Sequence, residues 1–206
     1  MNKSEQYFSQ KPSTEEKIYK FTWNAFDKVY EFNTSNSVFS KSAVDFGTML
    51  MLESFYQNER DFSGSVLDLG CGYGPVGVML NSLYSNITIE MVDVNERAVM
   101  LSKKNIEENP FLTNKVKIFE SDGFSNITSN YHRILTNPPI RAGKATVFSF
   151  YEGALKHLEH NGKLYVVIQK KQGAESTKAK LQELFGNCQV VNKKSGYFIF
   201  CSTNNG

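Results

Sequence analysis

The chain predicts an α/β fold: a seven-stranded, mostly parallel sheet with helices on both faces, closed by a C-terminal antiparallel hairpin and preceded by a small N-terminal β-hairpin. Two observations carry this. From Ser65 onward, short β-rich apolar runs alternate with longer runs of helical spacing, which implies parallel strands joined by crossover helices. Near the end the alternation stops and two strand-like runs meet with no helix between them, so the last strand must turn back.

Taken in order, residues 1–17 read as a polar tail. IYKFTWNAFDKVYEF (18–32) is two β-type runs about a turn-prone 24–27 stretch, a hairpin. A loop rich in Ser and Asn follows, then a helix over 46–56 with apolar residues at helical spacing. SVLDL (65–69) is a strand and PVGVMLNSLY (75–84) a helix, with Pro75 suited to its first turn. ITIEMVD (87–93) is a strand and ERAVMLSKKNIEEN (96–109) a helix. KVKIFESD (115–122), YHRILTN (131–137) and KLYVVIQ (163–169) are strands, with helices over 147–160 and 175–185. CQVVNKKSGYFIFC (188–201) is two strands joined tightly at 193–196. Three units result: the tail (1–17), the hairpin and its loop (18–45) and the α/β domain (46–206).

Bulk numbers exclude more than they identify. At 206 residues the chain suits one domain with a small appendage, and 40% hydrophobic with 21% charged residues is ordinary for a globular protein. A formal net charge of +2 means that nucleic-acid affinity would have to come from local placement of charge. No run is long enough for a membrane span, and the polar N-terminus has no h-region. Cys71, Cys188 and Cys201 form no CxxC pair, so neither a disulfide framework nor a metal site is expected, and the cytoplasm is the expected compartment.

In such sheets ligands bind beyond the carboxyl ends of the strands. The first strand end runs into DLGCGYGPVG, where Gly70, Gly72 and Gly74 let the backbone turn sharply and approach a ligand, with Cys71 between them. Gly72, Gly74 and Gly77 also satisfy the dinucleotide pattern GxGxxG, with Asp93 about 20 residues on. Asp68 favours another ligand. A carboxylate two residues before Gly70 would repel a pyrophosphate and attract a cationic amino group or sulfonium. S-adenosylmethionine carries both of these and no phosphate. Asp93, followed by Val94, is placed to accept from ribose hydroxyls. Asp122 of FESDGF is placed to accept from an adenine amino group, with Gly123 and Phe124 beside the ring. Each of these carboxylates could instead cap a helix.

The fourth strand ends in TNPPI, with Asn137 before Pro138, Pro139 and Ile140. Proline cannot donate to a sheet, so the strand stops there and leaves an amide side chain and carbonyls free to accept. An exocyclic amine conjugated with a π system is a poor nucleophile. Two rigid acceptors, the Asn137 side-chain oxygen and the Pro138 carbonyl, could bind its two hydrogens and aim its lone pair at a methyl group. The plain alternative is a proline-terminated strand with Asn in a turn.

Together these residues resemble class I S-adenosylmethionine-dependent methyltransferases that modify amino nitrogen, whose motif is (N/D/S)PP(Y/F/W). SVFSKSAVDFGTMLML (37–52), VLDLGCGYGPVGV and TNPPIRAGK are similar to the small-subunit (16S) ribosomal RNA guanine-N2 methyltransferases, over roughly residues 20–201. The resemblance implies a Rossmann-like fold and a substrate in ribosomal RNA or the small ribosomal subunit. Direct transfer needs no metal, and a monomer is favoured, with the oligomeric state left open. By position the resemblance places Phe39, Ser40, Lys41 and Asp45 at the cofactor's border. There are two departures. Where relatives of two tandem domains have a long N-terminal half this chain has a hairpin, and Ile140 stands where an aromatic residue usually stacks on a flipped base.

Topology also collects Lys41, Arg141, Lys144, Lys170, Lys171, Lys193 and Lys194 at the carboxyl edge of the sheet, a basic rim that suits a phosphate backbone. The leading expectation is a methyltransferase for guanine N2 in 16S ribosomal RNA. Its rivals are a protein-glutamine or DNA-adenine amino methyltransferase, a module that binds the cofactor and RNA without turnover, and a nicotinamide oxidoreductase.

Overall fold

A computed structural model describes residues 17–36, 38, 42–109 and 114–206. The expected tail, apart from Lys17, and the three expected cofactor neighbours Phe39, Ser40 and Lys41 lie outside the described residues. The elements are β1 (Ile18–Ala25), β2 (Lys28–Ser35), α1 (Phe46–Asn58), β3 (Gly64–Leu69), α2 (Pro75–Leu83), β4 (Ile87–Asp93), α3 (Glu96–Glu108), β5 (Val116–Glu120), β6 (Tyr131–Thr136), α4 (Lys144–His157), β7 (Leu158–Gln169), α5 (Ala174–Phe185), β8 (Gln189–Lys194) and β9 (Tyr197–Thr203).

β1 and β2 form a separate hairpin, and the large sheet has the order β5-β4-β3-β6-β7-β9-β8. β3 through β7 are parallel, and β9 runs antiparallel between β7 and β8. Because successive strand residues face opposite ways, one sheet feeds two cores. Val66, Ile89, Met91, Leu135, Tyr165 and Ile199 face α1, α2 and α3, while Leu67, Val92, Ile134, Leu164 and Phe200 face α4 and α5. The chain leaves β3 toward β4 and β5, then returns to the other side for β6 and β7. This reversal opens a crevice at the carboxyl ends of β3, β4 and β6.

Boundaries moved where tertiary bonds decide them. The helix expected over 147–160 starts at Lys144 and stops at His157, because β7 begins at Leu158 and the 161–162 backbone exchanges hydrogen bonds with Asn204 at 2.7 and 2.8 Å. Both hairpins turn on two residues of left-handed φ, Phe26–Asp27 and Ser195–Gly196, as type I′ turns require.

α1 is fixed at both ends. Asp45 caps it by accepting from the Thr48 backbone N–H at 3.0 Å. Just past its last turn, the buried Glu59 carboxylate accepts from Arg133 at 2.7 Å, Lys163 at 2.7 Å and the Tyr165 hydroxyl at 2.9 Å. Burial pushes this carboxyl up, but the bonds from Arg133, Lys163 and Tyr165 outweigh it and hold it below its ordinary value. The helix is thereby bolted to β6 and β7 far from the crevice while its first turn faces the crevice.

Candidate active site

The crevice is a cavity of about 630 Å³ lined from every strand end around it, a size that suits a small ligand. The β3 end contributes Asp68, Gly70, Cys71 and Gly72; the β4 end contributes Asp93, Val94 and Asn95. Ser121, Asp122 and Gly123 follow β5, and Asn137, Pro138, Pro139, Ile140 and Arg141 follow β6. α1 adds Asp45 and Thr48, and the far side is closed by Gln169 and Tyr197. Most of the residues expected from the sequence therefore meet in one place.

Asp68 is 2% exposed and accepts the Gly77 N–H at 3.2 Å. Burial, only partly offset by that bond, pushes its carboxyl up from 3.8 to about 7, with the Asp93 charge adding to the rise. Burial disfavours the charge of this carboxylate, and a cation beside it would restore that charge. Asp93 accepts from Gly72 N–H and Asn95 N–H, both at 2.9 Å. Burial raises its carboxyl as well, against the pull of the backbone bonds. The Val94 backbone N–H bonds to it as well, and Asp93 lines the cavity. The glycine turn is thus tied to the next strand end by its own carboxylate.

The glycines divide by role. Gly70 and Gly72 have left-handed φ of 76° and 58°, and a Cβ at Gly72 would enter open space, so the backbone there is bare toward a ligand. Gly74, expected in the cofactor turn, does not line the cavity: its Cβ position is filled by Met91 and Ser102, and Met91 likewise fills that of Gly77. These two glycines let α2 settle on β4. Phe124 also departs from expectation. It turns away into the slot left by Gly153 and stacks on His157 at 4.7 Å, while Phe150 takes the place beneath Gly70 and Gly123.

Asn137 is held by its nitrogen. Nδ2 donates to Asp45 Oδ2 at 3.2 Å and to Thr48 Oγ1 at 3.0 Å. A carboxylate can only accept, so it fixes which end of the amide is which and leaves Oδ1 as an acceptor with no partner among the described residues. Asp45, expected beside the cofactor, is therefore the residue that orients Asn137. Thr48 was not foreseen; its only local signal is its place three residues after a capping Asp. The Pro138 carbonyl is not bare either. It accepts from Ile140 N–H at 2.9 Å across Pro139, in a tight turn that fixes its direction and uses one lone pair of two.

Of the expected basic rim, Arg141 lines the cavity and Lys144 stands exposed at the start of α4. Lys170 donates its backbone N–H to Gly196 at 2.7 Å, which brings Lys170 and Lys171 to the β8–β9 tip and a shallow groove shared with Ser195 and Glu175. Lys194 pairs with Tyr197 in register and so shares its face, whereas Lys193 lies over the Phe198 ring on the other face at 4.9 Å. Among the described residues no three His, Cys, Asp or Glu cluster at metal-binding range, and no helix is long and apolar enough to cross a membrane.

The methyltransferase small domain family model matches residues 29–201. A Bacillus subtilis protein described as uncharacterized protein YbxB is 49% identical over 198 residues, covering 95% of this chain and 96% of that one. Ribosomal RNA small subunit methyltransferase C of Vibrio parahaemolyticus is 29% identical over 195 residues, covering 92% of this chain and 54% of its own. Among solved structures, a T. thermophilus 16S rRNA N2 methyltransferase in complex with AdoMet and guanosine superposes with a TM-score of 0.80 at 25% identity, over 91% of this chain and 50% of that chain. The chain spans about half the length of the latter two.

Proposed function

The chain belongs to the methyltransferase small domain family, and on that premise we propose that it uses S-adenosylmethionine to methylate an exocyclic amine, N2 of a guanine in small-subunit ribosomal RNA. The observation that carries the chemistry is the held amide of Asn137, which lines the cavity with its nitrogen spent on Asp45 and Thr48 and its oxygen without a partner among the described residues. Similarity to the two RNA methyltransferases supports the choice of RNA, and the guanosine bound to one of them supports the choice of base.

The donor set fits the cofactor. A buried carboxyl at about 7 suits a cationic amino group, and the open space above Gly72 suits close approach to a nucleoside. Asp68 would hold the ammonium, Asp93 the ribose hydroxyls and Asp122 the adenine amine. When bound, S-adenosylmethionine supplies an electrophilic methyl group on a sulfonium.

The chain's own part is to make the amine reactive. Asn137 Oδ1 and the Pro138 carbonyl accept the two N–H bonds of the base, which draws the nitrogen toward a tetrahedral shape and frees its lone pair. Both acceptors are fixed beforehand, one by Asp45 and Thr48, the other by the Pro139 turn, so little reorganisation remains. Neither acceptor is a base, so the surplus proton departs to water once the nitrogen is cationic. Lys170, Lys171, Lys194 and Arg141 would carry the phosphate backbone past the mouth.

The test is tritium transfer from labelled S-adenosylmethionine to naked ribosomal RNA and to small subunits lacking the endogenous mark, followed by nucleoside analysis. Label in N2-methylguanosine is expected. Label in another nucleoside would correct the target base. Cofactor binding with no label in RNA would move the substrate to a protein or DNA amino group.

A further inference from the structure

Ile140 leaves the proline turn without an aromatic ring, yet the cavity has a ring on another wall. Tyr197 is the first residue of β9, in register with Gln169 at the end of β7, and both line the cavity with Ile140 and Asn137. β6 and β9 flank β7, so two strand spacings place these walls about 10 Å apart at the backbone. The ring is close to the reacting groups. The point where a Cβ at Gly47 would sit is 2.7 Å from Tyr197 Cε1 and 3.0 Å from Asp45 Oδ2, the same oxygen that holds Asn137.

Three features mark this ring as placed rather than incidental. Gly47 stands in the first turn of α1, where glycine is a poor helix former, and any side chain there would push the ring away. Phe46 backs it at 5.3 Å and is itself 42% exposed, a large ring left in water beside a cavity. The Tyr197 ring is itself only partly buried and lines the cavity, unlike the fully buried rings of Tyr30, Tyr131, Tyr151 and Tyr165.

We propose that Tyr197, backed by Phe46, is the stacking wall for the target guanine, supplying across the cavity the aromatic face that Ile140 does not. This rests on the reading of the chain as a guanine-N2 methyltransferase. Stacking tolerates any base, so Tyr197 supplies grip, while Asn137 and the Pro138 carbonyl set which edge reacts. Gln169, beside Tyr197 in the sheet, offers an amide to the rest of that edge.

Tyr197→Leu decides the question, because leucine keeps the packing on Gly47 but has no π face. On unmodified small-subunit RNA its KM should rise about 10- to 100-fold, with kcat and S-adenosylmethionine affinity unchanged. Tyr197→Phe should restore the wild-type KM, and adding Ile140→Phe to Tyr197→Leu should recover part of the loss. A Tyr197→Trp reporter in a Trp23→Phe background should lose indole emission when that RNA binds. An unchanged KM in Tyr197→Leu, or no quenching on RNA binding, overturns the assignment while wild-type turnover keeps the function. If wild-type enzyme methylates no guanine in RNA, the function fails first and this inference with it.

Discussion

Asp68→Asn should make the cofactor-free protein more stable and unable to bind cofactor. The folded protein holds this carboxyl at about 7 against an ordinary 3.8. Because the folded value is the higher, the stability associated with Asp68 is fully present below about pH 4 and is lost as pH rises toward 7. At about 1.4 kcal/mol per pH unit, that loss approaches about 4 kcal/mol above pH 7. Asparagine keeps an oxygen for the Gly77 N–H but adds two amide hydrogens in a dry wall, which cost about 2 kcal/mol. A net gain of about 2 kcal/mol at pH 8 remains, or about 4–8 °C in Tm for a chain of this size. The assay is thermal unfolding of both proteins without cofactor from pH 4 to 8.5, with calorimetric titration of S-adenosylmethionine alongside. The advantage of the variant should shrink as pH falls, cross zero at about pH 5 and become a deficit of about 2 kcal/mol toward pH 4, where Asp68 is protonated in both states. Wild-type affinity should climb with pH up to about 7, as a cation requires, and the variant should show no binding. A stability difference that stays flat with pH, or a variant less stable at pH 8, would refute the reasoning.

Asn137→Ala should abolish methyl transfer and leave cofactor affinity within a few-fold, read by turnover and titration; joint loss would break the proposed division of labour. Asp45→Ala, leaving Thr48 to hold Asn137 alone, should lower kcat about 10- to 100-fold with KM little changed, and losing the cap should cost about 1 kcal/mol of stability. Asp93→Ala should weaken cofactor binding most and also loosen the Gly72 turn; unchanged affinity would remove it from the site. Glu59→Gln should cost about 3 kcal/mol in denaturant unfolding by leaving Arg133 and Lys163 without a counter-charge. Since Glu59 is held low, its stabilisation should fade below about pH 4.5, the opposite direction to Asp68.

What the sequence made legible was local. Strand and helix periods need only a few neighbouring residues, and the seven-strand sheet with its final reversal follows from them. Asp68, Gly70, Gly72, Asp93 and Asn137 could be placed because each sits at or just past a strand end, and parallel topology gathers such ends. Errors and omissions came from contacts between distant segments. Nothing near Gly74 in sequence announces that Met91 and Ser102 occupy the space beside it, and nothing near Phe124 announces the slot at Gly153. Asp45 and Thr48 meet Asn137 across about ninety residues, so an orienting role could not be separated from a cofactor role by order along the chain. The sequence around Tyr197 announces only a hairpin, because its relation to Gln169 depends on β9 joining β7 rather than an edge of the small sheet.

The antiparallel insertion of β9 also divides the site in two. The glycine turn, both buried carboxylates and the proline turn all lie at the ends of parallel strands, and these make the floor of the cavity. The wall arrives when β9 pairs with β7 from Lys163↔Thr203 to Gln169↔Tyr197, which closes a loop that includes α5 and β8. Gln169 and Tyr197 are closer in sequence than Val66 and Arg133, which pair across β3 and β6, so closing this loop costs less entropy than joining the two halves of the parallel sheet. The site therefore has two parts: parallel strands that carry the carboxylates and the proline turn, and an antiparallel strand that encloses them.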